Sequence, residues 1–493
     1  MQRDILNVPG MLLLTPLLAT AIFFWRIDRE HVWLDEAYSA AMASHDTSEL
    51  WNTVQADVHP PLYYFALKAA TAAAGTETLG LRALSALFAV GLVLLGFGPV
   101  LRIFGRTAAY VYTVLVIFSP GVLCFAQEAR MYTMAAFFVL AAALYAVEAV
   151  QHGMRADFVR FGVSLVAAMY THYFALASSA IMSLLLLIYC AAKERRRLKP
   201  LLITLGAAAV AFLPWVPSFL VQISRVRAGF WIPDTNRLLL KFSLMAPYAY
   251  KYEDIPYPWT SVIAMVLSAL LIGFGILAYR RRPEYLPHLF LIAVGGLTLL
   301  AGLLISKLVV PVLMPRYLIC CVGLFLVCVS VGIAALPKSF LSAGATAILV
   351  ALFLPADYNI QFETFHGPFH EVEAAIAEDG AQDEIIVHED CQTLFPLQWG
   401  LPDHTHAMIA EPGSALDLTS GIYPEENLRV IRNLDEILKE NRPFRLVDFS
   451  LSQTVVTDTL TPPAGWKMAS SLRFSPPLSF THITLTRWVP LGK

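Results

Sequence analysis

Long apolar runs alternate with short polar connectors over the first 355 residues of the chain. Most runs reach roughly 17–25 residues, the length that an α-helix needs to cross the hydrocarbon core of a bilayer. The first run is followed by Trp25, Arg26 and further charge, without a small-residue cleavage site, so we expect a retained helix and not a cleaved signal peptide. The pattern predicts eleven membrane-spanning helices, near residues 9–26, 81–101, 107–125, 131–150, 158–171, 174–192, 199–221, 259–279, 286–306, 315–336 and 339–355.

A shorter apolar segment, residues 59–74, begins with His59 and two prolines. The positive-inside rule decides between a membrane span and a helix that lies on the membrane surface. We predict an interfacial helix and a cytoplasmic N-terminus, because this choice alone puts the basic connectors together on the cytoplasmic side. These connectors are Arg102, Arg106, Arg155, Arg160, Lys193, the arginines at 195–197, Lys199, the arginines at 280–282 and Lys338.

The opposite, external face then collects most of the polar groups of the membrane domain. They are Asp35, Glu36, Asp57, His59, Glu128, Arg130, Thr171, His172, Arg316 and the loop 222–258. Ionisable groups at the mouth of a membrane bundle are costly to keep dry and usually serve chemistry or transport. We therefore predict that this face carries the active site. The long loop is either a substrate lid or a passive connector.

From about residue 356 the apolar runs shorten and acidic residues become frequent. Alternating β-like and helix-like segments predict a small soluble α/β domain on the external side. The β-like segments are 384–387, 444–449 and 482–485, and the helix-like segments are 368–378 and 434–440.

Composition supports a membrane protein and argues against a nucleic-acid partner. The chain is 57% hydrophobic and 15% charged, with a formal net charge of −2 and a mean hydropathy of +0.61, which is outside the range of ordinary soluble domains. We expect no disulfides, because the cysteines fall mostly inside apolar runs without metal-ligand spacing. They are Cys124, Cys190, Cys320, Cys321, Cys328 and Cys391.

The predicted fold class is therefore mainly α. We expect a polytopic protein of about eleven transmembrane helices, with interfacial helices in the first external loop and a small C-terminal soluble α/β domain. The predicted domains are a transmembrane domain over 1–355, which includes an external catalytic loop over 27–80, and a periplasmic α/β domain over 356–493.

Two acidic groups lie in the first external loop. Asp35 and Glu36 are adjacent, so their charges repel and burial can raise one pKa toward the range of a general base. The alternative is an exposed acidic turn that precedes a helix. Asp57 and His59 come shortly before two prolines that suit a helix start, and they either orient a substrate hydroxyl, bind a cation or simply begin a helix.

Two arginines and a histidine interrupt apolar runs further along the chain. Arg130, in the sequence QEARMY, either pairs with Glu128 or binds a ligand phosphate, and Arg316, in PRYL, has the same two interpretations. Guanidinium groups match the geometry of phosphate oxygens. His172, flanked by tyrosines, either belongs to an interfacial aromatic belt or takes part in donor or metal binding.

These motifs together resemble the GT-C superfamily of integral-membrane glycosyltransferases. The DE pair after the first span, HPPLYY, QEARMY and PRYL are similar to the branch that holds protein O-mannosyltransferases and lipid A aminoarabinose transferases, a family 39-like group, and the resemblance covers residues 9 to about 340. It implies inverting transfer of a sugar from a polyprenyl-phosphate donor to an acceptor hydroxyl on the periplasmic or lumenal side.

The resemblance also implies roles for individual residues. Asp35 and Glu36 would be the catalytic residues: Asp35 would be the catalytic acid of the DE pair, and Glu36 would position the acceptor or a neighbouring group. The donor-phosphate and substrate-binding residues would be Asp57, His59, Arg130, Tyr132, His172, Arg316 and Tyr317. Some relatives use a divalent metal ion, for which Glu128 and His172 are the candidate ligands, and no other cofactor is expected.

The departures from the family pattern favour a bacterial lipid or glycan acceptor. The chain lacks a large external insertion between spans, and HPPLYY replaces the HPPLGK of protein O-mannosyltransferases. We expect a location in the bacterial inner membrane. Two alternatives stay open: an oligosaccharide ligase or polymerase that uses a polyprenyl-diphosphate donor, and a lipid or sugar transporter, which we disfavour because internal repeats typical of transporters are not evident.

Overall fold

A computed structural model describes residues 9–228, 232–249, 259–378, 383–410, 427–450, 463–479 and 481–491. The first half of the chain is helical. Its helices are α1 (Pro9–Phe24), α2 (Leu34–Ser44), α3 (Thr47–Ala56), α4 (Leu62–Ala74), α5 (Thr78–Leu95), α6 (Leu101–Ile117), α7 (Pro120–Ala126), α8 (Tyr132–His152), α9 (Arg155–Thr171), α10 (Tyr173–Ala192) and α11 (Arg195–Phe212). A π-helical turn, Gly96–Val100, joins α5 to α6.

The helical part continues to residue 362. Its remaining helices are α12 (Val216–Ala228), α13 (Arg237–Met245), α14 (Trp259–Tyr279), α15 (Tyr285–Leu308), α16 (Val322–Ala334) and α17 (Ser339–Phe362). Short 3₁₀ segments, Leu213–Trp215 and Pro315–Cys321, lead into α12 and α16.

The helices confirm a multi-pass membrane protein. Within the described ranges, eight helical stretches are long and apolar enough to cross a bilayer. One of them, Thr78–Ile117, overlaps two predicted spans. A positive φ of 80° at Gly105 interrupts its helical geometry. Helices α1 and α9 coincide with predicted spans but have only 16 and 17 residues. The total of eleven spans stays a prediction.

The first external loop folds into three short helices. Trp33 precedes α2, and Asp46 caps α3 by accepting hydrogen bonds from the backbone amides of Ser48 and Glu49. Helix α4 follows Pro60 and Pro61 and has 13 residues, which gives a length of about 20 Å, too short to cross a bilayer. These helices occupy the segment for which interfacial helices were predicted.

Two helices form the centre of the bundle and begin at the same end of it. The Tyr132–His152 and Pro315–Ala334 stretches are 78% and 83% buried in the protein, whereas the other six candidate spans range from 22% to 56%. Outer helices keep apolar side chains exposed where lipid would cover them, as at Leu184, Ile203 and Leu270. The two central helices carry Tyr132, Arg316 and Tyr317 at their N-terminal ends.

In the described residues after 383, the strands of the C-terminal segment form a six-stranded mixed sheet. Its strands, β1 (Ile385–His388), β2 (His406–Ile409), β3 (Leu428–Ile431), β4 (Phe444–Ser450), β5 (Trp466–Phe474) and β6 (His482–Pro490), are arranged in the order β3-β2-β1-β4-β6-β5. The first four strands are parallel, and β6 pairs antiparallel with both β4 and β5. The helices here are α18 (Phe369–Glu378), α19 (Cys391–Gly400) and α20 (Asp435–Leu438).

The predicted segments of this domain match β1, β4, β6, α18 and α20, whereas β2, β3, β5 and α19 were not predicted. Helix α17 continues to Phe362, beyond the predicted boundary at 355, and the division into domains stays a prediction. Part of the predicted 222–258 loop is helical, since α12 reaches Ala228 and α13 follows it, while residues 229–231 and 250–258 lie outside the described residues.

The sheet domain packs directly against the first external loop. Trp33 shares an apolar cluster with Phe369, Val372 and Leu397 of α18 and α19. The carboxylate of Glu30 accepts hydrogen bonds from the backbone amides of Phe365 and His366. The tail therefore buries the residues that immediately precede Asp35.

All six cysteines are free thiols, as predicted.

Candidate functional site

Asp35 lies in the first turn of α2, between two arginines. Nη1 of Arg316 is 2.9 Å from Oδ2 of Asp35, and Nη1 of Arg130 donates to the backbone carbonyl of Asp35 at 3.2 Å. Burial alone would raise the pKa of Asp35, but the charges of Arg316 and Arg130 outweigh it and hold the pKa below its ordinary value. Asp35 is therefore an ionised carboxylate whose basicity depends on those two cations.

Arg130 is held in the break between α7 and α8. Besides its contact with Asp35, it donates to Oγ of Ser39 at 3.2 Å and lies 3.5 Å from Nε2 of His59. Its buried Nε has no hydrogen-bond partner among the described residues. The alternative pairing with Glu128 is not formed, because the Arg130 side chain points to α2 instead. A buried guanidinium with a spare donor is suited to bind an anion.

Glu36 faces away from this cluster. Its side chain is fully buried, and it accepts two hydrogen bonds from Arg82, at 2.7 and 2.6 Å. The backbone amide of Ala129 also donates to it at 2.7 Å. Consecutive residues of an α-helix point about 100° apart, so the two acids of the pair have different partners. This arrangement favours a role for Glu36 in holding α2 to Arg82 of α5 and to the backbone at residue 129, and its catalytic role stays a prediction.

Asp57 is anchored by two phenols. Tyr38 donates to one carboxylate oxygen at 2.6 Å and Tyr64 donates to the other at 3.1 Å. Nδ1 of His59 lies 3.2 Å from the second oxygen. Burial tends to raise the pKa of Asp57, but His59 and the hydrogen bonds lower it overall. Asp57 thereby orients His59, whose other ring nitrogen faces Arg130.

Aromatic rings close the side of the site opposite α2. The His172 ring is 4.9 Å from the Tyr317 ring, 6.0 Å from Tyr132 and 6.2 Å from His59, measured between centroids. The Arg316 guanidinium lies 5.9 Å from the centroids of both Trp33 and Tyr317. The structure thus brings Asp35, Asp57, His59, Arg130, Tyr132, His172, Arg316 and Tyr317 into one cluster. The functional roles of these eight residues stay predictions.

Glu128 is a buried carboxylate next to this cluster. Neither of its oxygens has a hydrogen-bond partner within the described residues, and Nε2 of His366 is 4.0 Å away. The pKa of Glu128 is raised to about 7. Burial is the largest cause, the charge of His366 opposes it, and the charge of Glu36 adds to it. The group therefore holds or releases a proton near neutral pH.

Glu128 and His172 are the two predicted metal ligands. Nδ1 of His172 accepts a hydrogen bond from the backbone amide of Phe174 at 3.1 Å. Neither residue belongs to a group of three or more ligands within 4.8 Å in the described part of the chain. A metal ion held by this pair stays a prediction, and no step of the reaction proposed below depends on it.

Sequence reasoning missed several residues that shape the site. Arg82 is a charge near the start of an apolar helix, and an ionisable residue in such a place signals a specific partner. His366 stacks on Trp33 at 4.6 Å and lies 2.9 Å from Glu30. No local pattern marks His366, because Glu30 and Trp33 both lie more than 300 positions away in the sequence.

Comparison with solved structures decides the fold. The crystal structure of ArnT from Cupriavidus metallidurans in the apo state superposes with a TM-score of 0.63, over 97% of this chain and 98% of that chain, at 14% identity. The chain has the ArnT fold. The crystal structure of ArnT from the same organism bound to undecaprenyl phosphate gives a TM-score of 0.60 with the same coverage and identity.

No protein-family model and no curated protein matches the sequence. The structure of the S. cerevisiae protein O-mannosyltransferase Pmt1-Pmt2 complex bound to the sugar donor reaches a TM-score of 0.33, at 15% identity over 50% of this chain and 37% of that chain, which is too low to compare the two folds. The predicted GT-C resemblance is thus confirmed through ArnT as a likeness of fold.

Proposed function

We propose that this protein transfers a sugar from a polyprenyl-phosphate donor to an acceptor hydroxyl with inversion. The observation that carries the proposal is the contact of Asp35 with Arg316 and Arg130 at one end of the bundle. A carboxylate between two cations supplies both a proton acceptor and a phosphate site. The ArnT fold, with a crystal structure bound to undecaprenyl phosphate, supports the same donor class.

The donor phosphate is assigned to Arg130 and Arg316. Arg130 has a buried Nε donor without a partner among the described residues, and Arg316 already binds one anionic oxygen, that of Asp35. The N-terminal ends of the two central helices add partial positive charge in the same region. Fixed positive groups there stabilise the charge that develops on a departing phosphate.

Asp35 is proposed as the general base. The acceptor oxygen forms a bond to the anomeric carbon, the bond from that carbon to the phosphate oxygen breaks, and the acceptor proton moves to Asp35. The polyprenyl phosphate leaves with the electron pair. A phosphate that shares the charge of Arg316 raises the pKa of Asp35, so donor binding strengthens the base. This single displacement inverts the configuration at the anomeric carbon, as in inverting glycosidases.

The remaining groups orient the reactants. Asp57 and His59, anchored by Tyr38 and Tyr64, face the Arg130 side of the site, and His172, Tyr132 and Tyr317 form its aromatic wall. We propose that this site faces the periplasm of a bacterial inner membrane and that the acceptor is an envelope lipid or glycan. An outward face is consistent with the basic connectors lying on the other side.

Mass spectrometry of lipids and envelope glycans from a deletion strain tests the proposal. We expect one glycan or lipid to lose a sugar increment while a polyprenyl-phosphate sugar accumulates, and wild-type protein, but not Asp35→Asn, to restore the product. Accumulation of a polyprenyl-diphosphate oligosaccharide would instead support a ligase or polymerase. Loss of the product with the sugar donor confined to the cytoplasmic leaflet, and not exposed on the external leaflet, would support a transporter.

A further inference from the structure

A second cluster of chemistry-bearing side chains lies outside the proposed catalytic site, where α18 packs on the first external loop. It consists of His31, His370 and Glu373. Each offers one ligand atom, and these atoms lie within 4.8 Å of one another. His370 and Glu373 are three positions apart on α18, so they share one face of that helix. His31 comes from the segment that leads into α2.

The hydrogen bond on the other side of the His31 ring fixes its tautomer. Nδ1 lies 2.6 Å from the carbonyl oxygen of Val32, and a carbonyl only accepts, so Nδ1 carries the proton. Nε2 then faces Oε1 of Glu373 at 2.7 Å. Two lone pairs at that distance repel, so either a second proton or a cation lies between them. A ring oriented through its other nitrogen is typical of metal-bound histidine.

The surroundings suit a small ion. The Phe369 and Trp399 rings lie 5.5 and 5.4 Å from the His31 ring. A methyl group built on Gly400 would lie 1.5 Å from Oε1 of Glu373 and 2.9 Å from Nε2 of His31, so the backbone closes one side tightly. His370 is exposed and Glu373 is partly exposed, while His31 is buried. An ion can therefore enter from solvent past His370.

We infer that His31, His370 and Glu373 form a binding site for a divalent transition metal, with Zn²⁺ as the best match. Two imidazoles and one carboxylate are a common zinc ligand set, which leaves a fourth position for water. The site joins α18 to the segment just before Trp33 and Asp35. It would thus fasten the C-terminal domain to the loop that carries the proposed base. Metal binding here does not rest on the proposed function.

The variant His370→Ala separates this site from a simple ion pair. It removes one metal ligand but leaves the contact between His31 and Glu373 in place. The matched control is Glu371→Gln, which changes an exposed acid on the same helix. The full-length protein in detergent is first stripped of metal with a chelator and then titrated with Zn²⁺. Bound metal is measured by mass spectrometry, and the Tm is measured by thermal unfolding.

We expect wild type and Glu371→Gln to bind one equivalent of Zn²⁺ that raises the Tm. We expect His370→Ala to bind it at least about tenfold more weakly, since even partners behind the ligands contribute that much, and to gain no Tm. Equal zinc affinity and equal Tm gain in wild type and His370→Ala would overturn the site. Failure of the wild-type protein to bind one equivalent of Zn²⁺ would also overturn the site. The contact would then be an ion pair between a protonated His31 and Glu373.

Discussion

Arg316 and Asp35 form an ion pair of 2.9 Å between the start of a central membrane helix and the first turn of α2. The pair joins the bundle to the external loop at the proposed catalytic centre. Because Arg316 also lowers the pKa of Asp35, the same arginine sets both the proton affinity of the base and the charge available to a donor phosphate. Four predictions concern this centre and its supports.

Asp35→Asn should abolish sugar transfer. An amide cannot accept the acceptor proton, and loss of a general base lowers rates by about 10²–10⁴-fold. Transfer from polyprenyl-phosphate sugar is measured with purified protein, together with binding of donor. Asp28→Asn, which changes an exposed acid before the same loop, is the control. Near-normal turnover in Asp35→Asn would remove Asp35 from the role of base.

Arg316→Ala should raise the donor concentration required for half-maximal rate by about tenfold or more, because a lost charge-assisted contact of about 1.4 kcal/mol corresponds to that factor. The dependence on acceptor should change less. The acid limb of the pH–rate profile should also move to higher pH, since the pKa of Asp35 rises without its cation. Steady-state kinetics against both substrates measures these effects.

An exposed arginine near the end of α12 supplies the control for that experiment, as Arg227→Ala. It removes the same charge without a contact to Asp35. An unchanged donor dependence in Arg316→Ala would count against the phosphate assignment, and a pH profile that does not move would show that the ion pair does not control the base.

Glu36→Gln should lower stability more than it impairs chemistry. It leaves Arg82 buried without its ionic partner, which typically costs about 3–5 kcal/mol. Thermal unfolding in detergent measures the loss against Glu77→Gln, an exposed acid close to Arg82 in sequence. A Glu36→Gln protein that unfolds like wild type but transfers no sugar would instead support the predicted catalytic role of Glu36.

Glu128→Gln should stabilise the protein at high pH. Folding raises the pKa of Glu128 from an ordinary 4.5 to about 7, so the folded chain binds more protons than the unfolded chain between those values. The contribution of Glu128 to stability therefore falls as pH rises through that window. An amide needs no proton, so the variant should exceed the Tm of wild type at pH 8 and match it at pH 5.

The exposed residue Glu378 at the end of α18 provides a comparison, because Glu378→Gln should show no difference between the two pH values. A Tm gain of equal size at pH 5 and pH 8 in Glu128→Gln would mean that removal of the charge is not its cause.

Local pattern was sufficient to predict a multi-pass membrane protein and about half of the elements of the tail. Apolar runs of spanning length and the basic connectors follow from the energetics of burying side chains in lipid, and those energetics act on each segment separately. The same holds for β1, β4 and β6, whose buried residues read as short apolar runs. Strand β5 escaped prediction because its side chains are largely exposed and carry no alternation of the kind that marks a half-buried strand.

The motifs DE, HPPLYY, QEARMY and PRYL also located the site residues along the chain, but they could not assign partners. Only the tertiary structure decided that Glu36 meets Arg82 of α5 while Asp35 meets Arg316, since neighbouring helix positions point in different directions. Only the docking of the tail brought His366 to Glu30 and His370 to His31. Contacts between distant segments depend on how whole helices pack, and that information is not contained in any one stretch of the sequence.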